Sequence, residues 1–160
     1  NDTWAWAFLG RCKVGAGRIE DGIRDLTHAL QIDPANAYAL AWRGEGARRL
    51  GAFGRALTDL EASLKLNPDN RWAQAWKAQV LVSTDKSEEG LRCFERALDT
   101  PEQRYALAHV WHGEALWNMG REQAAIVAFR RAFVLDGKCK QAKAWMTRLS
   151  KRKNEVPVTA

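Results

Sequence analysis

Residues 37–70 read AYALAWRGEGARRLGAFGRALTDLEASLKLNPDN. Two runs of helix-forming residues meet at Leu50-Gly51, and Asn67-Pro68 closes the second, since proline cannot continue a helix. Moving back 34 residues lands on the same plan: Gly51 falls on Gly17, Leu60 on Leu26, and Asn67-Pro68 on Asp33-Pro34. The aromatic residues keep the same step. Phe8, Trp42, Trp76, Trp111 and Trp145 recur at separations of 34, 34, 35 and 34 residues. A period this strict predicts an array of small helical units rather than one irregular fold.

Outward from that stretch, helices are expected from near Trp4 to Gly15, Ile19 to Ile32, Ala37 to Leu50 and Phe53 to Leu66. Asn1, Asp2 and Thr3 offer capping side chains ahead of the first. The third unit starts at Arg71, turns at Ser83-Thr84-Asp85-Lys86-Ser87, and ends at Thr100-Pro101, where one extra residue is absorbed. The fourth carries Gly113, a turn at Gly120, then Ala125, Phe129 and Ala132. A last helix from about Lys138 to Lys153 sets Ala142, Trp145, Met146 and Leu149 on one stripe, with basic or polar residues elsewhere. Such a helix suits the end of an array, whose last apolar face must be covered by something that tolerates water.

The net charge of +6 is local. Lys138, Lys140, Lys143, Arg148, Lys151, Arg152 and Lys153 form a run without an acid, while residues 1–137 hold 18 basic and 18 acidic residues. The run reads first as a solvated face and second as a contact for an acidic partner. No apolar stretch approaches the roughly 20 residues that span a bilayer, and no signal-peptide pattern is present. A start at Asn1 rather than Met reads as that of a fragment or processed product. Cys12, Cys93 and Cys139 suggest neither a disulfide framework nor a zinc site, and favour a reducing, cytoplasmic setting.

Two helices per 34 residues, with glycine at the turn and proline at the exit, resemble the tetratricopeptide repeat family. Trp6, Leu9, Gly10, Gly22, Leu26, Ala29 and Pro34 match its pattern in the first unit. Gly44, Ala56, Leu60 and Pro68 match in the second, and Gly113, Ala125, Phe129 and Ala132 in the fourth. Arg43 stands where the family prefers leucine and Leu40 where it prefers tryptophan; His109 and His112 replace the usual Trp and Leu. The resemblance spans about residues 3–139. It implies an all-α fold, a right-handed superhelical array of antiparallel helix pairs with about four repeats and a C-terminal capping helix. The expected division is one array over 1–153 (repeats about 3–36, 37–70, 71–105 and 106–139, cap about 138–153) and a tail over 154–160. Trp6, at the signature position, is expected in the core.

In this family the first helices line the concave side. That places Phe8, Trp42, Trp76, Trp111 and Trp145 there, beside a second row of Trp4, Tyr38, Trp72 and Leu107 four residues earlier. Arg11, Glu45, Gln79, Glu114 and Arg148 continue the stripe, and Trp117 joins the set. Ala7, Ala41, Ala75, Val110 and Ala144 between the rows are expected to leave room over the backbone. Two readings stay open, packing between repeats or an exposed binding surface, since large aromatics serve both. Family members that clamp chaperone carboxylates use Lys, Asn, Asn, Lys and Arg. Here those positions read Ala7, Arg11, Trp42, Trp72 and Trp76, or, one repeat on, Ala41, Glu45, Trp76, Leu107 and Trp111. Neither register makes a clamp. The groove suits an apolar, proline-rich or arginine-bearing peptide.

His109 and His112 lie one turn apart, yet both face the partner helix and read as core or interface residues, not a metal site; His28 stands alone. No nucleophile, phosphate loop or carboxylate pair is arranged for catalysis. The sequence therefore predicts a protein-binding scaffold or adaptor without enzymatic activity, metal or cofactor. The alternative is a segment or subunit of a larger assembly, self-associating by stacking at the N-terminal repeat, with the basic helix on an acidic partner. Nucleic acid and membrane are not expected partners.

Overall fold

The structure, a computed structural model, describes residues 2–99 and 105–155, with side chains through residue 151. The candidate cap at Asn1, the exit at Thr100-Pro101, the side chains of Arg152 and Lys153, and the tail beyond residue 155 lie outside the described residues. Nine helices and no strand occur among the described residues. They are α1 (Thr3–Gly15), α2 (Ile19–Ile32), α3 (Ala37–Arg49), α4 (Phe53–Leu66), α5 (Arg71–Ser83), α6 (Ser87–Leu98), α7 (Ala106–Asn118), α8 (Glu122–Leu135) and α9 (Lys140–Glu155). All eight tryptophans sit on α1, α3, α5, α7 and α9. The chain forms two compact units, Asn1–Cys93 and Phe94–Ala160.

The punctuation has local causes. The side chains of Asp2, Asn36 and Asn70 accept hydrogen bonds from the amides of Ala5, Ala39 and Ala73 at 2.9–3.1 Å, capping the first helix of three successive pairs. Each pair turns through one residue in the left-handed region: Gly17, Gly51, Asp85 and Gly120, with φ between 60° and 84°. Within the first pair the backbones nearly touch. A Cβ on Gly10 would come within 2.8 Å of the Gly22 carbonyl oxygen, and one on Gly22 within 2.7 Å of that of Gly10.

One core position repeats through both units. Leu26, Leu60, Phe94 and Phe129 are wholly buried on α2, α4, α6 and α8, and they follow the repeat register. Pairs are also tied polarly. Ser63 Oγ donates to the Ala37 carbonyl at 2.8 Å, and Arg49 Nη1 reaches the Val14 carbonyl at 3.0 Å. Trp6 departs from its expected core placement. It meets His28 of α2 edge-on, 4.5 Å between ring centroids, but is 38% exposed. Among the described residues, α3, α5 and α9 each carry the second helix of a preceding pair, and α1 is the first helix of the first pair.

Candidate partner-binding surface

In the first unit, α1, α3 and α5 lie side by side and bring five rings into a chain. Trp4 meets Tyr38 at 5.7 Å between centroids, Tyr38 meets Trp42 at 6.4 Å, Trp42 meets Trp76 edge-on at 4.9 Å, and Trp76 stacks on Trp72 at 5.9 Å. These distances and tilts suit aromatic quadrupoles, worth about 0.5–1.5 kcal/mol per pair beyond area burial. The two rows expected from the sequence are thus interleaved into one ladder. Arg11 lays its guanidinium 5.3 Å from the Phe8 centroid and 5.5 Å from that of Trp42, a cation on two aromatic faces. Burial raises the Tyr38 hydroxyl pKa, partly offset by Arg11.

The ladder is graded in exposure. Trp4 and Phe8 are 64% and 54% exposed, and Arg11 is exposed. Tyr38, Trp42, Trp72 and Gln79 are half-buried. Two expected surface residues are not on the surface. Trp76 is 5% exposed, closed in between Trp42 and Trp72, and serves as packing. Glu45 is 1% exposed and its carboxylate is held by Arg48 and Arg49 at 2.6–3.0 Å, so it presents nothing to a partner. The small residues also differ from expectation. Ala7, Ala41, Ala75 and Val110 are buried, where small side chains let helices approach, and only Ala144 is open.

In the second unit the expected residues form a different cluster. Trp145 stacks on Phe129, centroids 4.2 Å apart and planes 11° from parallel, and lies 5.4 Å from Trp117. Its indole Nε1–H donates to Glu114 Oε1 at 2.9 Å, and Arg148 covers its other side at 5.2 Å. Trp145, Trp117 and Glu114 therefore belong to the seam by which α9 closes on α7 and α8, and Trp111 is half-buried on α7. The basic side chains Lys138, Lys140, Lys143, Arg148 and Lys151 remain exposed.

His109 is buried on α7, and its Nε2 has no hydrogen-bond partner among the described residues. Burial first, then His112 and Arg131, lower its pKa from 6.5 to about 4. His112 packs on Phe94 at 5.6 Å, and burial lowers its pKa too, against the pull of Glu95. Among the described residues no His, Cys, Asp and Glu grouping suits a metal.

A feature the sequence reading passed over is a cleft of about 400 Å³ lined by Ile23, Thr27, Arg43, Ala47, Arg55 and Asp59, among others. Its polar wall is a fork in which Arg43 donates from Nε and Nη2 to Asp59 at 2.7 and 2.8 Å. The signal was Arg43 in a leucine position, with an aspartate 16 residues on, on the partner helix of the same pair.

Sequence comparison settles the family. The tetratricopeptide repeat model matches residues 9–71 and 77–138, well over half of the chain. The chain belongs to the tetratricopeptide repeat family. Solved structures agree in fold. PilF of Pseudomonas aeruginosa superposes with a TM-score of 0.84 at 20% identity, over 96% of this chain and 69% of that one. MamA from Desulfovibrio magneticus RS-1 gives 0.72 at 21% identity, over 95% and 85%. A Thermobaculum terrenum O-GlcNAc transferase mutant gives 0.67 at 27% identity, over 71% of this chain but 22% of that one. A search of curated proteins finds no match. The all-α tetratricopeptide fold is that of a protein–protein interaction scaffold. Among the described residues no helix is long and apolar enough to cross a membrane.

Proposed function

We propose that the four helix pairs act as one array, and that this chain is an adaptor holding a peptide or protein segment along the concave, aromatic side of its first helices. The contact residues are Trp4, Phe8, Arg11, Tyr38, Trp42 and Trp72, with Gln79 at the margin. The observation that carries the reading is the Trp4–Tyr38–Trp42–Trp76–Trp72 ladder, buried in its middle and open at its N-terminal end. A rigid aromatic strip with one exposed edge is the composition of interface hot spots. The ligand is apolar, proline-rich or arginine-bearing. The site of Arg11 supports the last, because a guanidinium already rests on these rings. A carboxylate clamp remains excluded by residue type. A panel of apolar, proline-rich and arginine-bearing peptides tests the reading. Trp4→Ala/Trp72→Ala is expected to lose at least about tenfold in affinity with helicity kept, and unchanged affinity would sink it.

A second reading is a subunit of a larger repeat assembly, self-associating at α1, with the basic face of α9 on an acidic partner. The exposed apolar residues of α1 and the exposed lysines of α9 favour it. Sedimentation over a concentration series tests it. A monomer throughout counts against self-association.

A further inference from the structure

The outer face of α1 is formed by Ala5, Phe8, Leu9 and Cys12, all four exposed and none charged. Repeat register identifies the same face on every other first helix. It is Ala39, Trp42, Arg43 and Gly46 on α3, and Ala73, Trp76, Lys77 and Val80 on α5. On α7 it is Ala108, Trp111, His112 and Ala115, and on α9 Ala142, Trp145, Met146 and Leu149. Not one of those sixteen residues is exposed. The alanines that match Ala5 are all at 0%.

On α3, α5 and α9 the cover is the same in kind. The second helix of the preceding pair lies on it: α2 on α3 and α4 on α5 in the first unit, α8 on α9 in the second, where Phe94 of α6 also meets His112 of α7. At α3 the contact is close. A Cβ on Gly46 would come within 2.9 Å of Ile23 Cγ1 and 3.6 Å of Ile19 Cγ2. The register position of Ile23 holds Leu57, Leu91 and Ile126 in the other pairs, a branched aliphatic residue in every case.

We infer that the Ala5–Phe8–Leu9–Cys12 face of α1 is a docking surface for one further helix pair of this repeat type, stacked in register as the preceding member of the array. Its second helix sets a branched aliphatic side chain over Cys12, as Ile23 sits over Gly46. The face continues a seam that the chain already builds, and its lack of charge fits an apolar helix stripe. The basic outer face of α9 does not supply such a stripe, so a second copy stacked head to tail is a poorer occupant. The inference does not depend on the aromatic ladder, and it replaces self-association with a different occupant of the same helix.

The test is a chain in which residues 37–70 are duplicated in frame ahead of Thr3, giving α1 a preceding pair whose copy of Leu57 falls over Cys12. Two readouts are taken: the thermal midpoint, and the rate at which an aromatic disulfide reagent modifies Cys12 in a Cys93→Ser/Cys139→Ser background. The docked arrangement raises the midpoint by roughly 5 °C and slows Cys12 modification about tenfold or more. Leu9→Glu removes both effects in the extended chain, while shifting the midpoint of the unextended chain little. Unchanged Cys12 reactivity in the extended chain overturns the proposal. So does an unextended chain that sediments as a dimer until Leu9→Glu is introduced, which gives the face to a second copy.

Discussion

At the scale of the residue, the turns show how much one side chain decides. Three of the four pairs turn through glycine, and the third uses Asp85 at φ 60°. A left-handed aspartate is strained relative to glycine by about 1 kcal/mol. Asp85→Gly is therefore expected to raise unfolding free energy by up to that amount and Gly51→Ala to lower it similarly, as read by chemical denaturation. His109 makes a pH prediction. Its folded pKa of about 4 lies below the ordinary 6.5, so between those values the unfolded chain binds more protons. Stability from this group is full above about pH 6.5 and is lost as pH falls towards 4, by at most about 3 kcal/mol. His112 acts in the same direction. His109→Leu should flatten the fall in thermal midpoint between pH 7 and 5, and an unaltered slope would remove His109 as its cause.

At the scale of the element, glycine and proline made the helices legible in the sequence. The expected spans Ile19 to Ile32 and Phe53 to Leu66 are those observed, because Gly17, Gly51 and the Pro34 and Pro68 exits act locally. Exposure was less legible. The sequence shows Glu45 and Trp76 on the same stripe as Trp42, but whether they face outward depends on Arg48, Arg49 and the next helix pair. Period cannot report that. The small-residue row was misjudged for the same reason, since alanine reads alike as an open floor and as a close helix contact. The capping helix was placed by its single apolar stripe, and its anchor is now specific: Trp145 between Phe129 and Arg148, bonded to Glu114. Trp145→Ala should cost roughly 3 kcal/mol and speed amide exchange in α9 before the rest of the chain. Uniform loosening instead would mean that α9 is not a separate lid on α7 and α8.

At the scale of the whole molecule, the repeat was readable because five aromatic positions and four turn residues share one step. The open edge of the aromatic ladder is the proposed seat of the partner. The indole N–H signals of the tryptophans test it most directly, followed by nuclear magnetic resonance as a proline-rich or arginine-bearing peptide is titrated in. Trp4, Trp42 and Trp72 are expected to shift, while Trp145, whose indole is bonded to Glu114, stays in place. Shifts confined to Trp117 and Trp145, with the ladder silent, would contradict it.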